Sequence, residues 1–325
     1  MLNRFREKLG DSHQHTLSAM NNLASTYRHQ GKHNDAEVLL KQCLDKTKVA
    51  LGESHPVTLG AMNNLAITYR HQGKYMEAEV LYKQCLDKMT LILGESHVDT
   101  LNTMTSLATC YTRQGNYREA EALYKQCLVK MKLILGETHA DTLMATSNLA
   151  TCYARQGKYS DAEVLLKHCL DKKKVLIGEN HPSTLSTMGN LALVYINQKK
   201  YSDAEVLYKQ CLDKQKVVLG ENHPDTLDTL SNLADCYNYQ AKYREAEALL
   251  KQCLDKQKEV LGENHPSTLT TMYNLAVSYA SQGKYRDAEV IFKQCLDKRK
   301  VVLGESHPTT LTTMSNLKTI SQFKG

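Results

Sequence analysis

The sequence predicts an all-α solenoid of stacked antiparallel helical hairpins, and two observations point to it. First, a leucine column recurs every 42 residues, at Leu17, Leu59, Leu101, Leu143, Leu185, Leu227, Leu269 and Leu311. Second, each period contains two apolar patterns with helical spacing, separated by turn residues. One hairpin of this size cannot bury both of its apolar faces alone, so successive hairpins must stack.

The first helix of each unit, helix A, is exemplified by the second unit. Its small and apolar residues include Leu65 and Tyr69, on one face of a 3.6-residue helix. We predict that it begins at Pro56, because the first turn of a helix needs no N–H from that residue. It should end near Gly73, since glycine readily adopts the left-handed conformation that closes a helix.

The second helix, helix B, is predicted to run from about Tyr75 to a stop at Gly94. Glu79 lies four residues before Lys83, and the same Glu–Lys spacing recurs in every unit. Such pairs contribute about 0.2–0.5 kcal/mol each on an exposed helix surface. We therefore expect a charged and solvated outer face.

The repeated pattern L-x-x-L-A-x-x-Y-x-x-Q-G-K-Y-x-x-A-E-x-L-Y-K-x-(A/C)-L resembles the tetratricopeptide repeat (TPR). With 42 residues, a lengthened helix B and an L-G-E-x-H-P turn, it is similar to the TPR variant of kinesin light chains and nephrocystin-3-like proteins. The resemblance covers roughly residues 5–320. It implies a right-handed superhelix in which the A helices line the concave side. TPR arrays serve many unrelated partners, so the resemblance implies the fold more strongly than the function.

The period also predicts the domain organisation. We expect a partial helix B and turn over residues 1–16, seven units over residues 17–310, and a polar capping helix over residues 311–325. The units are 17–58, 59–100, 101–142, 143–184, 185–226, 227–268 and 269–310. In the last helix Lys318 takes the alanine position and Ser321 the tyrosine position. A further helix B would pack unfavourably on that lysine, so this end should be solvated.

Composition argues against several classes of function. The net charge of +6 is spread over 325 residues with both signs interleaved, unlike the basic stripe of a nucleic-acid binder. Repeats that read RNA one base at a time remain an alternative. No apolar run approaches the roughly 20 residues of a membrane span, and no signal peptide is visible, so we expect no membrane association and a cytoplasmic location.

Cysteine and histidine also recur in columns. Seven of the ten cysteines share one column and the other three share a second. Equivalent positions of stacked helices lie about 8–10 Å apart, beyond disulfide reach, so we expect buried thiols in a reducing compartment. Eight histidines that recur every 42 residues, from His13 to His307, are too far apart to form a metal site and should be turn residues near the start of helix A. No catalytic signature appears, and we predict no enzyme activity, metal or cofactor.

The first candidate binding residues are asparagines that precede a core leucine of helix A. They are Asn22, Asn64, Asn148, Asn190, Asn232, Asn274 and Asn316, with Ser106 standing in once. An amide both donates to and accepts from a peptide backbone, so this asparagine column could hold an extended ligand. The alternative is that each amide bonds to a neighbouring helix and only fixes the stack.

Basic residues at the end of helix A form the second set of candidates. In units one to four they are Arg28, His29, Arg70, His71, Arg113 and Arg155. The later units carry Ile196, Asn197, Asn238, Tyr239, Ala280 and Ser281 instead, and the sixth adds Asp228 and Asp235. If these arginines are more than solvated helix ends, the N-terminal half attracts acidic segments and the C-terminal half does not.

These residues predict a non-catalytic scaffold that binds extended or helical peptide segments in a concave groove. Kinesin light chains use matching asparagine and arginine positions for cargo peptides that carry an aromatic residue among acids, and the resemblance thus implies a cargo adaptor in motor or signalling complexes. This chain departs from that family's further basic residues at Ser18, Gly60, Asn102 and Met144. The main alternative is the sensing array of a larger regulatory or immune-type (NLR-like) protein.

Overall fold

The computed structural model describes residues 2–322 and is helical throughout its regular structure. The chain divides into two compact units, Met1–Cys152 and Tyr153–Gly325. Helix A and helix B alternate along both. The predicted all-α fold of stacked helical hairpins is therefore confirmed.

The helices of the first compact unit follow the 42-residue period. They are α1 (Leu2–Leu9), α2 (Gln14–His29), α3 (His33–Leu51), α4 (Pro56–His71), α5 (Tyr75–Leu93), α6 (Val98–Gln114), α7 (Tyr117–Ile134) and α8 (Ala140–Arg155), whose last turn belongs to the second unit. As predicted, α4 begins at Pro56 and α5 ends just before Gly94.

The helices of the second compact unit continue the same alternation. They are α9 (Tyr159–Leu176), α10 (Pro182–Asn197), α11 (Tyr201–Val218), α12 (Pro224–Tyr239), α13 (Tyr243–Val260), α14 (Pro266–Ser281), α15 (Tyr285–Leu303) and α16 (Pro308–Ser321). Each pairs with its sequence neighbour, and helices two apart, such as α12 and α14, also touch. This is the packing of hairpin on hairpin that the repeat requires.

Small residues form the contacts between helices. The alanines of both columns, such as Ala66 on α4 and Ala78 on α5, are fully buried. Beside them lie large buried side chains of helix B, including Tyr82, Tyr208 and Phe292. Small residues let two backbones approach closely while the large ones fill the remaining space, and the buried side chains form successive apolar clusters along the repeats.

The ten cysteines are free and buried, in line with the sequence. In the larger column the thiol donates to the carbonyl oxygen of the leucine column, as from Cys43 Sγ to Leu17 at 3.3 Å and from Cys211 Sγ to Leu185 at 3.3 Å. Burial raises the pKa of both thiols to about 11. They are unreactive packing groups that also tie helix B to helix A of the same unit.

The eight histidines of the column are turn residues, as predicted, and each caps the start of a helix A. Each directly precedes the first turn of helix A, and its Nδ1 accepts from the backbone N–H two residues later, as His55 does from Val57 at 3.2 Å. His181 and His307 repeat the contact. The ring therefore caps the helix in the way that serine or asparagine usually does.

The glutamates of helix B differ from the prediction. In all seven units the Glu–Lys pair forms, but the glutamate is largely buried rather than solvated: the Glu247 side chain is 15% exposed and that of Lys251 is 52%. Lys284 and Gln282 of the next unit also donate to Glu247, at 2.8 and 2.9 Å. These donors lower its pKa to about 2 against the effect of burial. The glutamate thus joins consecutive repeats, which a spacing within one helix cannot reveal.

The turn after helix A contains one residue in the left-handed conformation. This residue is a glycine in most repeats, such as Gly73 in the first unit and Gly283 in the second, whereas Lys199 and Ala241 take the conformation at two turns of the second unit, with φ of 62° and 59°. A side chain in this conformation costs roughly 1–2 kcal/mol. The second unit carries this strain at two of its turns.

On α16, Lys318 and Ser321 are exposed, while Ile320 is buried against the cluster of Ala276, Ala288 and Phe292. Within residues 2–322, no helix combines the length and the apolar character needed to cross a bilayer.

Candidate functional site

The asparagine column is accessible to a ligand. Asn22 and Asn232 are exposed, and Asn64, Asn148, Asn190 and Asn274 are partly exposed. None of these side chains is buried between helices. Placement on helix A therefore leaves their amides reachable from solvent.

Two members of the column bond to the preceding helix A. Asn64 Nδ2 donates to Asn21 Oδ1 at 3.0 Å, and Asn316 Nδ2 donates to the Tyr273 hydroxyl at 2.6 Å. Within the part of the chain that the structure describes, the side chains of the other five make no hydrogen bond; these are Asn22, Asn148, Asn190, Asn232 and Asn274. Fixing the stack thus accounts for two amides and leaves five free to pair.

Arg28 is held against this column. Its Nη2 donates to Ser25 Oγ at 3.0 Å, and its Nη1 lies 3.5 Å from Asn64 Oδ1. The side chain is partly buried, and desolvation, followed by the positive charge of Arg70, lowers its pKa. The two predicted columns therefore meet between the first and second repeats.

Arg70 occupies the same position one repeat later. It is partly buried, and its Nε is shielded from solvent without a hydrogen-bond partner. It lies beside the phenol of Tyr82, whose pKa burial raises to about 12 although Arg70 opposes the rise. Among the described residues no carboxylate pairs with Arg28 or Arg70. Their positive charge is uncompensated.

His71 lies within the field of the same arginines. Its ring stacks on that of His33, with 5.6 Å between centroids and 15° between planes. Desolvation, and then the charges of Arg70, Arg28 and Arg113 together with His33, lower the pKa of His71. The imidazole is neutral at pH 7 as a consequence. We refer to the three arginines that act on it, Arg28, Arg70 and Arg113, as the basic cluster.

The other predicted basic residues lie outside this cluster. His29 is exposed at the end of α2 and is not among the groups that act on His71. Arg155 is exposed at the end of α8, in the last turn that belongs to the second compact unit. Arg155 is therefore a solvated residue at a helix end, whereas Arg28 and Arg70 are partly buried and contact neighbouring side chains.

Sequence reasoning missed Asn21, Ser25 and His33 as parts of this region. His33 carried a signal, because the six later units have tyrosine at the equivalent position. Asn21 and Ser25 lie at positions of helix A whose residue type varies between repeats. The sequence of one repeat therefore does not indicate that they contact residues near Arg28 and Asn64.

The two acids of the sixth repeat lie on α12 and have neutral neighbours. Ser267 Oγ and Gln257 Nε2 each lie 3.4 Å from an Asp228 carboxylate oxygen. Desolvation raises the pKa of Asp228, and the hydrogen bond from Ser267 only partly offsets the rise. Desolvation likewise raises the pKa of Asp235, to about 6. Helix A of this repeat thus carries acidic residues where helix A of the first two carries basic ones.

Comparison with known families agrees with the repeat pattern. A family model described as tetratricopeptide repeat matches residues 57–128, 141–216, 183–259 and 242–300. Two further models of the same description match residues 16–57 and 105–169. A search of curated proteins finds no significant match.

Solved structures share the fold. The chain is 27% identical to the TPR-like repeats of a kinesin light chain-type protein of Podosopora anserina, over 62% of this chain and 94% of that one, with a TM-score of 0.52. It is 18% identical to the apo form of the quorum sensor NprR of B. thuringiensis (91% and 80% covered, TM-score 0.64). It is 11% identical to a Rap protein complexed with competence and sporulation factor (95% and 98%, TM-score 0.58). The last two likenesses concern the fold alone.

Proposed function

Because the chain belongs to the tetratricopeptide-repeat family, with repeats of the kinesin light chain type, we propose that it is a non-catalytic scaffold that binds an acidic peptide segment of a partner protein. The first two repeats supply the binding surface. TPR folds generally serve as interaction scaffolds, and we take a kinesin light chain-like adaptor in motor or signalling complexes as the functional model. A cytoplasmic location is part of the proposal, since buried free thiols suit a reducing compartment.

One observation carries the proposal: Arg28 and Arg70 occupy the same position of consecutive repeats, are partly buried, and have no carboxylate partner among the residues that the structure describes. Partly buried like charges at close range destabilise the free protein. A ligand carboxylate would remove that repulsion and gain charge-assisted hydrogen bonds from a planar guanidinium. An acidic segment is therefore favoured over a neutral one.

The asparagine column would hold the ligand backbone. Asn22 and Asn148 have unpaired amides, and Asn64 keeps acceptor capacity beside Arg28. Each backbone hydrogen bond would contribute about 0.5–1.5 kcal/mol. With two charge-assisted contacts, a short linear ligand should bind in the micromolar range, near −8 kcal/mol.

The test is fluorescence anisotropy with a labelled twelve-residue peptide of alternating glutamate and serine, compared with the same peptide carrying glutamine for glutamate. We expect micromolar affinity for the acidic peptide only. The double variant Arg28→Ala, Arg70→Ala should bind it at least tenfold more weakly, because each charge-assisted contact is worth about 1.5–3 kcal/mol. Units four and seven carry Ala154 and Ala280 at this position, so the fold should tolerate the change.

The matched control is Arg118→Ala, which removes one positive charge from an exposed position at the start of α7. Its affinity should equal that of the wild type. Equal binding of the glutamine peptide, or an equal loss in Arg118→Ala, would show that the arginines on helix A do not form the site.

A further inference from the structure

The sixth repeat contains a carboxylate without a cation. Asp235 lies one turn before the end of α12 and is partly buried. It has no ion pair within the described residues. A negative charge in a partly desolvated position is unfavourable unless a positively charged group pairs with it. Asp235 therefore differs from the glutamates of helix B, each of which receives lysine.

The neighbouring amide is also unsatisfied. Asn238, one turn after Asp235, has both side-chain polar atoms shielded from solvent and without a hydrogen-bond partner. The amide is close enough to lower the pKa of Asp235 slightly, but it forms no well-aligned hydrogen bond with the carboxylate. A buried amide of this kind keeps an acceptor oxygen available to an N–H donor.

Two tyrosines, Tyr239 and Tyr273, lie within electrostatic range of the carboxylate. Tyr239 is 55% exposed, and its ring stacks on that of Tyr201, with 5.8 Å between centroids and 4° between planes. The negative charge of Asp235 is the main reason why the pKa of Tyr239 is raised, and it also raises that of Tyr273. An exposed ring face beside a carboxylate attracts a cation by both its quadrupole and the adjacent charge.

The cation that lies over the Tyr273 ring already has hydrogen-bond partners. Arg299 lies over Tyr273, 5.0 Å from the ring centroid, and donates to the carbonyl oxygens of Leu269 and Thr309 and to Thr313 Oγ1. It is not among the groups that act on the pKa of Asp235. The positive charge that Asp235 lacks is thus not supplied from α15.

We infer that the sixth repeat binds the guanidinium of an arginine side chain from a protein partner, between the Asp235 carboxylate and the exposed face of Tyr239, with Asn238 accepting a further N–H. Arginine suits the site better than lysine because its planar group pairs with a carboxylate through two N–H donors and stacks on an aromatic ring. Asp228, two turns earlier on α12, extends the negative face for a second basic residue.

The other repeats lack this set of residues. The position of Asp235 holds Thr109, Thr151, Leu193 and Val277 in units three, four, five and seven. The position of Tyr239 holds Arg113, Arg155, Asn197 and Ser281 in the same units. The arginine site is thus separate from the acidic-peptide surface proposed above and goes beyond it.

The test uses the whole chain and two small probes: N-acetyl-arginine N-methylamide and its neutral isostere N-acetyl-citrulline N-methylamide. Backbone amide signals are followed by NMR during each titration. We expect the arginine compound to shift the signals of Asn232 and Tyr239 with a millimolar dissociation constant. The citrulline compound should leave these signals in place.

Two variants and a control separate binding from folding. Asp235→Asn and Asp235→Thr, the latter giving the residue of units three and four, should each weaken the arginine compound at least fivefold. Asp225→Asn removes an exposed carboxylate from the first turn of the same helix and should leave the affinity unchanged. Equal shifts with citrulline, or an equal loss in Asp225→Asn, would overturn the assignment. The variant Arg28→Ala, Arg70→Ala should keep this site, so the two proposals can fail independently.

Discussion

The first two repeats and the sixth share one frame but differ in the charge that helix A presents. Both have the capping histidine, the cysteine that bonds to a leucine carbonyl, and the glutamate bridge to the next repeat. At the variable positions, however, the first two repeats hold Arg28 and Arg70, where the sixth holds Asn238 next to Asp235 and Tyr239. Residues that recur in columns determine the fold, and departures from the columns determine what each repeat can bind.

The largest expected effect concerns the shared frame. Glu37→Gln in the first compact unit and Glu247→Gln in the second should each lower the free energy of unfolding by about 1–2 kcal/mol at pH 7, because each glutamate loses charge-assisted bonds to two lysines. Urea unfolding of both variants measures this. A loss in one variant and none in the other would break the claim that the frame is the same.

The same glutamates should make the stability of the protein depend on pH. Their pKa is about 2 in the folded protein and 4.5 ordinarily. The stabilisation is therefore fully present above pH 4.5 and is lost as the pH falls toward 2. The difference between wild type and Glu247→Gln should shrink over that range. A difference that stays constant down to pH 2.5 would contradict the assignment of the bridge.

A smaller effect of opposite sign is expected at Asp235. Its carboxyl has a folded-state pKa of about 6, above the ordinary 3.8, so folding is opposed above pH 6 and the penalty disappears as the pH falls to 3.8. Asp235→Asn should therefore raise the free energy of unfolding by about 1 kcal/mol at pH 7.5 and by nothing at pH 3.5. Thermal unfolding at the two pH values tests this. Destabilisation at pH 7.5 would mean that a partner for the carboxylate exists within the protein.

The last and smallest effect on stability distinguishes asparagines that fix the stack from asparagines that are available to a ligand. Asn64→Ala removes the bond to Asn21 and should destabilise the protein by about 0.5–1.5 kcal/mol. Asn148 makes no side-chain hydrogen bond to any described residue, so Asn148→Ala should change stability by less than about 0.5 kcal/mol. Urea unfolding of the two variants measures both changes in the free energy of unfolding. Similar losses in both variants would indicate that the whole column fixes the stack.

The sequence was sufficient to predict the frame because the frame repeats. The 42-residue period, the start of helix A at Pro56, the stop of helix B at Gly94 and the turn role of His55 all follow from columns within one chain. Local rules about proline, glycine and helical spacing act within one or two turns. Seven copies of the same pattern made them reliable here.

Contacts between repeats could not be predicted in the same way. The i,i+4 spacing of Glu247 and Lys251 describes an exposed pair, but burial of the glutamate comes from Lys284 and Gln282 of the next repeat. The partial burial of Arg28 depends equally on side chains of the next repeat, such as Asn64. The isolation of Asp235 depends on the placement of Arg299, more than sixty residues away in sequence.

The most direct test of opposite charge preferences on one frame is a two-probe NMR titration of the wild-type protein. We predict that the acidic glutamate–serine peptide shifts the backbone amide signals of Asn64, Arg70 and His71 and leaves Tyr239 in place. The arginine compound should shift Asn232 and Tyr239 and leave Arg70 in place. If both probes shift the same residues, or the acidic peptide shifts Tyr239 and not Arg70, the variable positions do not divide the repeats by charge.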